Sequence, residues 1–186
     1  AAGADIIAVS DSSGGIMDEG GLDVGAAIAT KDATGSVGDL EGVTEIDNRA
    51  LLTLDVDVLI PAALENAIDG DIAEQLQADI IVEAANGPLT PTADAVMSDR
   101  DIPVVPDVFA NVGGVTVSYF EWVQNRQGQR WGRDRVISEL DAHVAHAFDD
   151  LIGTYERRGL GSLRTAAYVV GIERIIDAMT AAGHWP

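Results

Sequence analysis

Four residues near the middle of the chain have types and spacing that could bind a ligand. Asn111, Val115, Ser118 and Trp122 are separated by four, three and four positions, which places them on one face of a helix. An amide, a branched apolar side chain, a hydroxyl and an indole on one stripe can orient a small polar ligand with a short aliphatic body. The spacing predicts a core stripe equally well, with Ser118 bonded back to the preceding turn.

The stripe follows the last of four short apolar runs, which predict strands at 6–9, 56–60, 80–82 and 102–105. A turn is predicted at 10–15, directly after the first run. Helical segments alternate with the runs, which predicts right-handed βαβ units and a parallel sheet covered by helices on both faces. The predicted fold class is therefore α/β, a Rossmann-like doubly wound and mostly parallel sheet with a C-terminal helical extension.

Polar and small residues follow each predicted strand, where an open parallel sheet binds its ligands. In chain order they are Asp11 with Ser12, Ala62 with Ala63, Asn86, and Asn111. Small residues permit the close approach of a flat, extended ligand such as a dinucleotide. An acid in the position of Asp11 typically accepts hydrogen bonds from the adenosine ribose. Alternatively, Asp11 is a turn aspartate that bonds its own backbone.

The glycine fingerprint that binds pyrophosphate should lie about 20 residues before such an acid, yet only ten residues precede Asp11. We therefore expect 1–122 to be a dinucleotide-binding domain that lacks its first strand and glycine-rich loop, with 1–4 as the end of a helix. Residues 123–186 are expected to be C-terminal helices that pack back on the sheet and toward a missing domain. Within them, 124–132 is a predicted connector, and helices are predicted at 137–155 and 169–179.

The charge balance excludes several classes of partner. The chain has 31 acidic and 11 basic residues, a net charge of −20, and a single lysine, Lys31. Nucleic acid and anionic membranes would be repelled, and the chain has no apolar run near the roughly 18 residues of a membrane span. An acidic surface that is poor in lysine is typical of proteins from salt-loving microbes, where salt screens the repulsion.

Cysteine is absent, which rules out thiolate chemistry and disulfides within the sequence. His143 and His146 are three apart on a predicted helix, but no third metal ligand is evident, so we expect a solvated helix face and no metal. The arginines at 130, 133 and 135 are expected to form surface ion pairs or to contact another domain or subunit, and ion pairs are slightly favoured. No basic region precedes the first apolar stretch, so a cytoplasmic location is expected.

Four segments together support a family resemblance. Ser10-Asp11-Ser12, Pro61 through Asn66, Glu83 through Pro88, and 111–122 occur in the order found in glutamate dehydrogenases, within the Glu/Leu/Phe/Val dehydrogenase family. The likeness covers nearly the whole chain, which resembles the cofactor-binding domain and C-terminal helices of a halophilic member. The resemblance implies NAD(P)-dependent oxidative deamination of L-glutamate to 2-oxoglutarate and ammonia, a separate N-terminal substrate domain, and a homo-hexamer.

The same resemblance implies roles for the stripe. Ser118 would hydrogen-bond the side-chain carboxylate of glutamate, and Val115 would pack on its methylene groups. Asn111 would lie near the reacting carbon and the nicotinamide. The lysine and aspartate that do the proton chemistry belong to the substrate domain in this family. No catalytic residue is therefore expected in this chain, and the chain alone is expected to be inactive.

For the cofactor, the resemblance implies that Asn86 contacts the nicotinamide side and that Ala62 and Ala63 line its path. The choice between NADP and NAD stays open. Asp11 would repel a 2′-phosphate and favours NAD, whereas Lys31 could reach the same region and favour NADP, toward which we lean slightly. Two alternatives to a glutamate dehydrogenase are a related branched-chain or aromatic amino-acid dehydrogenase and a stand-alone nucleotide-binding regulatory module.

Overall fold

The computed structural model describes residues 3–184, in which six strands, eight α-helices and one short 3-10 helix (Val37–Asp39) are found. The strands are β1 (Ala8–Asp11), β2 (Gly14–Met17), β3 (Thr44–Ile46), β4 (Val58–Leu59), β5 (Ile80–Val82) and β6 (Val104–Val105). The helices are α1 (Val24–Thr34), α2 (Asn48–Leu52), α3 (Gly70–Ala73), α4 (Pro91–Asp99), α5 (Asp107–Ala110), α6 (Val112–Gln127), α7 (Arg133–Arg158) and α8 (Leu163–Ala181).

The parallel part of the predicted sheet is present. β4 pairs with β5, and β5 pairs with β6, both in parallel. Ile81 at the centre of β5 is completely buried, as expected of a strand covered on both faces. Thr90 caps α4 by accepting from the N–H of Ala93, and Pro91 occupies the first helical position, as the sequence predicts. The α/β fold class is confirmed.

The first predicted strand lies in a different sheet, and this part of the prediction was wrong. β1 pairs antiparallel with β2, and β2 pairs antiparallel with β3. The predicted turn at 10–15 is a tight hairpin that closes with Asp11 opposite Gly14. Ser12 and Ser13 form the turn itself, and Gly14 and Gly15 already belong to β2. Gly15 permits a close contact with β3, because a Cβ there would lie 3.2 Å from Ile46.

The C-terminal helices are longer than predicted. α6 continues through position 122 to Gln127 and ends at Gly128 in the left-handed conformation, so the predicted connector at 124–132 begins too early. Gln124 explains the difference, because its amide donates to the carbonyl of Phe120 and accepts from the N–H of Trp131. α7 runs to Arg158 and ends at Gly159, with basic residues in its last turn, where the helix dipole favours them.

An aromatic cluster joins α6 to α7. The ring of the buried Phe120 lies 5.4 Å from that of Trp131 and 5.2 Å from that of His143. Arg135 lies 4.0 Å above the Trp131 ring and forms a surface ion pair with Glu139. His143 is itself exposed, and the edge of its ring contacts Phe120 where α6 meets α7. Within 3–184, no group of three potential metal ligands is found.

No helix in the described part of the chain is long and apolar enough to cross a membrane. The predicted helix end at 1–4 lies partly outside the described residues, since these begin at Gly3. Gly3 has a φ of +82° and Ala4 is not helical.

Candidate functional site

An open cavity of about 540 Å³ lies at the carboxyl ends of β4 and β5. The loops that form it are tied together: the N–H groups of Ala84 and Ala85 both donate to the carbonyl of Pro61, at 3.1 and 2.9 Å. The cavity is lined mostly by small or polar residues, which are Ala63, Leu64, Glu65, Ala84, Ala85, Asn86 and Asn111. Three of the residues predicted from sequence thus share one cavity, and Ala62 is the exposed neighbour of Ala63.

Two asparagines that line this cavity are hydrogen-bonded to each other. The side-chain N–H of Asn111 donates to the side-chain oxygen of Asn86 at 2.6 Å and lies 3.4 Å from the carbonyl of Ala84. Asn111 is the single residue between α5 and α6. The bond leaves the N–H groups of Asn86 and the side-chain oxygen of Asn111 for a ligand, since neither has another partner within the described residues. One donor and one acceptor side by side match a carboxamide.

The stripe on α6 is open surface and not core. Val115 is 67% exposed and Trp122 is 57% exposed. Ser118 is also exposed, although its hydroxyl donates to the carbonyl of Gly114 at 3.1 Å. Ser118 therefore makes the bond to the preceding turn that the core interpretation predicts, but it is not buried. Trp122 stacks on Tyr119 with ring centres 6.0 Å apart. The stripe continues the surface that starts at Asn111.

Asp11 and Lys31 form a second group, at the hairpin. The Lys31 ammonium lies 2.5 Å from one Asp11 oxygen, which also accepts from the N–H of Val37 at 3.0 Å. The other oxygen accepts from the N–H of Ser13 at 2.7 Å. Asp11 is therefore also the turn aspartate that the sequence offered as an alternative. Ser12 is exposed in the same turn.

These contacts fix the charge of Asp11. The hydrogen bond from Lys31, followed by those from Val37 and Ser13, holds the pKa of the carboxyl far below its ordinary value. The group is therefore ionised in any working buffer. A carboxylate can accept about four hydrogen bonds, so a position for a ribose hydroxyl remains. Because Lys31 balances its charge, Asp11 repels a phosphate less than an unpaired acid would.

A model of the glutamate/leucine/phenylalanine/valine dehydrogenase family matches residues 1–183. The chain belongs to this family. The NADP-specific glutamate dehydrogenase A1 of Halobacterium salinarum is 58% identical over 185 residues, which are 99% of this chain and 44% of that protein. The NAD-specific glutamate dehydrogenase A of the same organism is 46% identical over 184 residues, which are 99% of this chain and 42% of that protein.

Solved structures agree with this assignment. A hetero-hexameric glutamate dehydrogenase from Thermus thermophilus, in a leucine-bound form, is 36% identical with a TM-score of 0.88. It is matched over 98% of this chain and 42% of its own. The chain thus spans less than half the length of these dehydrogenases.

The structure also contains an ionic cluster next to the cavity that the sequence analysis did not predict. Its members are Glu83, Asp94, Asp107 and Arg164, and we call it the Arg164 cluster. Burial works against the charged guanidinium, but hydrogen bonds to Glu83 and Asp94 outweigh it and raise the pKa of Arg164 above its ordinary value. One signal was available: Glu83 is a charged residue directly after the apolar run of β5.

Proposed function

We propose that this chain is the cofactor-binding part of an NAD(P)-dependent glutamate dehydrogenase, which converts L-glutamate to 2-oxoglutarate and ammonia reversibly. The observation that carries the proposal is the bonded pair Asn86 and Asn111 in a cavity at the carboxyl ends of parallel strands. The family includes dehydrogenases of all these amino acids, and the glutamate dehydrogenases among the relatives support glutamate over branched-chain or aromatic substrates. A stand-alone regulatory module has no comparable support.

The residues present fit a nicotinamide dinucleotide. The pair Asn86 and Asn111 offers a donor and an acceptor to a carboxamide, and the small residues Ala63 and Ala84 allow a flat ring to approach the backbone. Asp11 accepts from the adenosine ribose. A bound cofactor would supply the acceptor for the hydride on the α-carbon of glutamate, and the protein would bind and orient the two molecules.

On the substrate side, the stripe on α6 positions glutamate. Ser118 donates to the side-chain carboxylate after giving up its bond to Gly114, and Val115 covers the methylene groups. Asn111 lies between this stripe and the cavity, which brings the α-carbon toward the nicotinamide. Correct placement of two reactants is worth several kcal/mol of barrier. Proton transfer is assigned to a separate substrate domain, and residues 1–122 with the helices of 123–186 act as the cofactor half of a hexameric enzyme.

We assign NADP as the preferred cofactor. Lys31 is 43% exposed, so its ammonium can turn from Asp11 toward a 2′-phosphate. The NADP-specific relative is 58% identical and the NAD-specific relative 46% identical, which points the same way.

The test is a chimeric enzyme in which these 186 residues replace the matching part of the NADP-specific enzyme of Halobacterium salinarum. In concentrated salt, we expect glutamate-dependent reduction of NADP, followed by the absorbance of the reduced nicotinamide. Leucine and phenylalanine should react far more slowly.

Asn86→Ala in the same chimera is the control for the cavity, and it should lower activity without loss of assembly. A chimera that folds and assembles but shows no glutamate-dependent reduction would refute the proposed function.

A further inference from the structure

Arg164 brings together three acidic residues from distant parts of the chain. It is the second residue of α8, and its guanidinium donates to Glu83 at 2.8 Å and to Asp94 at 3.0 and 3.1 Å. Asp107 lies 3.5 Å from its remaining terminal nitrogen. The three carboxylates come from the end of β5, the first turn of α4 and the start of α5. The Arg164 side chain therefore connects α8 to β5, α4 and α5 near the cavity.

The Arg164 cluster is bonded directly to the backbone of the candidate site. Glu83 accepts from the N–H of Asp107 at 2.8 Å, and Asp107 accepts from the N–H of Gly87 at 2.8 Å. Gly87 follows Asn86 and has a φ of +53°, which glycine adopts without strain, and its bond to Asp107 fixes the position of this turn. Asp107 begins the short helix α5, and its carbonyl accepts from the N–H of Asn111, directly after that helix, at 3.1 Å. Both asparagines of the cavity are thus one bonded step from the cluster.

The electrostatics make this arrangement sensitive to the arginine. Three carboxylates share one guanidinium, and the Glu83 side chain is 0% exposed. Without the cation, the buried carboxylate loses its partner and the three acids repel one another. Arginine presents several N–H groups in a rigid plane, which lysine cannot reproduce.

We propose that Arg164 is a positioning residue for the cofactor: through Glu83 and Asp107 it holds the loop of Asn86 and the start of α5 in the geometry that binds the nicotinamide. This rests on the proposed function of the cavity. It assigns a binding role to a residue of the C-terminal helices that lies outside the cavity itself. Ser118 and Val115 are held by α6, so the glutamate subsite depends less on the cluster.

The experiment uses the full-length chimeric enzyme with Arg164→Met, Arg164→Lys and the control Arg100→Met. Arg100 is matched because it also ties two elements together, donating to the carbonyls of Ala73 and Leu76 at 2.5 and 2.7 Å, but it contacts none of the cluster. For each variant, the thermal midpoint, the dissociation constant of NADPH by fluorescence, kcat, and the KM for glutamate are measured in the same salt.

For Arg164→Met, we expect the NADPH dissociation constant to rise at least about tenfold, because bonds between charged groups are lost. Its KM for glutamate should change less than about twofold. Arg164→Lys should weaken NADPH binding about threefold, since it keeps the charge but not the planar fork. Arg100→Met should lower the thermal midpoint and leave NADPH binding unchanged.

The proposal is overturned if Arg164→Met binds NADPH like the unsubstituted chimera, or if Arg100→Met weakens binding equally for an equal loss of stability. If Arg164→Met does not fold, Arg164→Lys decides, and unchanged binding in that variant overturns the proposal. NADPH binding is measured apart from turnover, so failure of glutamate chemistry alone refutes the proposed function without deciding this one. A chimera that does not bind NADPH overturns both.

Discussion

Two carboxylates with cationic partners, Asp11 and Glu83, are built in opposite ways. The partners of Asp11 come from within 26 positions, at a hairpin and its neighbouring helix, and Lys31 remains half in solvent. Glu83 is completely buried, and its cation, Arg164, comes from 81 positions away. A local pair whose cation is exposed can tune the choice of ligand with less effect on folding. A buried, non-local pair ties the fold and the site together.

Removal of salt is expected to have the largest effect, because it exposes both pairs to the repulsion of the whole surface. With a net charge of −20, unscreened repulsion should unfold the chain. Dialysis from concentrated to low salt is predicted to abolish the helical circular dichroism signal. Conversion of the exposed acids Asp32, Glu41, Glu45 and Asp57 to amides should lower the salt concentration that is needed. An unchanged spectrum at low salt would contradict the halophilic interpretation.

The next prediction compares the two carboxylates directly. Glu83→Gln should lower the free energy of unfolding by about 2–3 kcal/mol, because the amide must turn an N–H₂ toward one of two donors, Arg164 or the N–H of Asp107. The matched change Asp11→Asn should cost less, since its cation, Lys31, is 43% exposed and can be solvated once the pair is lost. Urea-induced unfolding of the chimera in concentrated salt measures both. Equal losses of unfolding free energy in the two variants would show that the two carboxylates do not differ in their contribution to the fold.

Lys31→Met tests whether the exposed pair selects the cofactor. Loss of Lys31 removes the largest cause of the lowered pKa of Asp11, but the bonds from Val37 and Ser13 remain, so the carboxylate stays charged near neutral pH. An uncompensated negative charge then faces the 2′-phosphate. The KM for NADP should rise about tenfold and that for NAD less than about threefold.

Arg158→Met is the control for Lys31→Met, because it opens another exposed ion pair, with Glu173 on α8. It should leave both cofactor KM values unchanged. If Lys31→Met also leaves the ratio of the two KM values unchanged, the Asp11 region does not select the cofactor.

The smallest predicted effect concerns the substrate stripe, which neither carboxylate touches. Ser118→Ala should raise the KM for glutamate about fivefold and change kcat less than about twofold. Thr116→Ala is the matched control, because its hydroxyl also bonds the carbonyl four residues earlier, at 2.9 Å, but it is partly buried. Equal effects of the two changes would remove Ser118 from the substrate site.

Local patterns were predicted well from the sequence. The continuous apolar run of β5 and the Thr90-Pro91 start of α4 are defined by residues next to one another, and both are present in the structure. β2 and β3 were missed because each is short and their pairing joins positions about 30 apart, as between Gly15 and Ile46. Nothing in the glycine pair at 14 and 15 distinguishes a close strand contact from a turn.

Part of the candidate site was also predictable from the sequence. Asn86, Ala63 and Asn111 follow predicted strands, and parallel strands bring their carboxyl ends to one edge, so the shared cavity follows from topology. The Arg164 cluster does not, because Asp94 lies 70 positions and Glu83 lies 81 positions from their cation. No spacing rule relates residues so far apart. Only the packing of α8 against β6 and α5 brings them together.

Lys31 is the only lysine in the 186 residues, which makes it a unique chemical handle. An acylating reagent meets one side-chain amine in this chain, and that amine lies against Asp11 and, at 3.4 Å, the carbonyl of Gly35. The nitrogen must leave both oxygens before it can react. The rate of labelling at this one position therefore reports how often the ion pair between Lys31 and Asp11 opens. A dinucleotide bound beside β1 would slow the labelling by covering the amine.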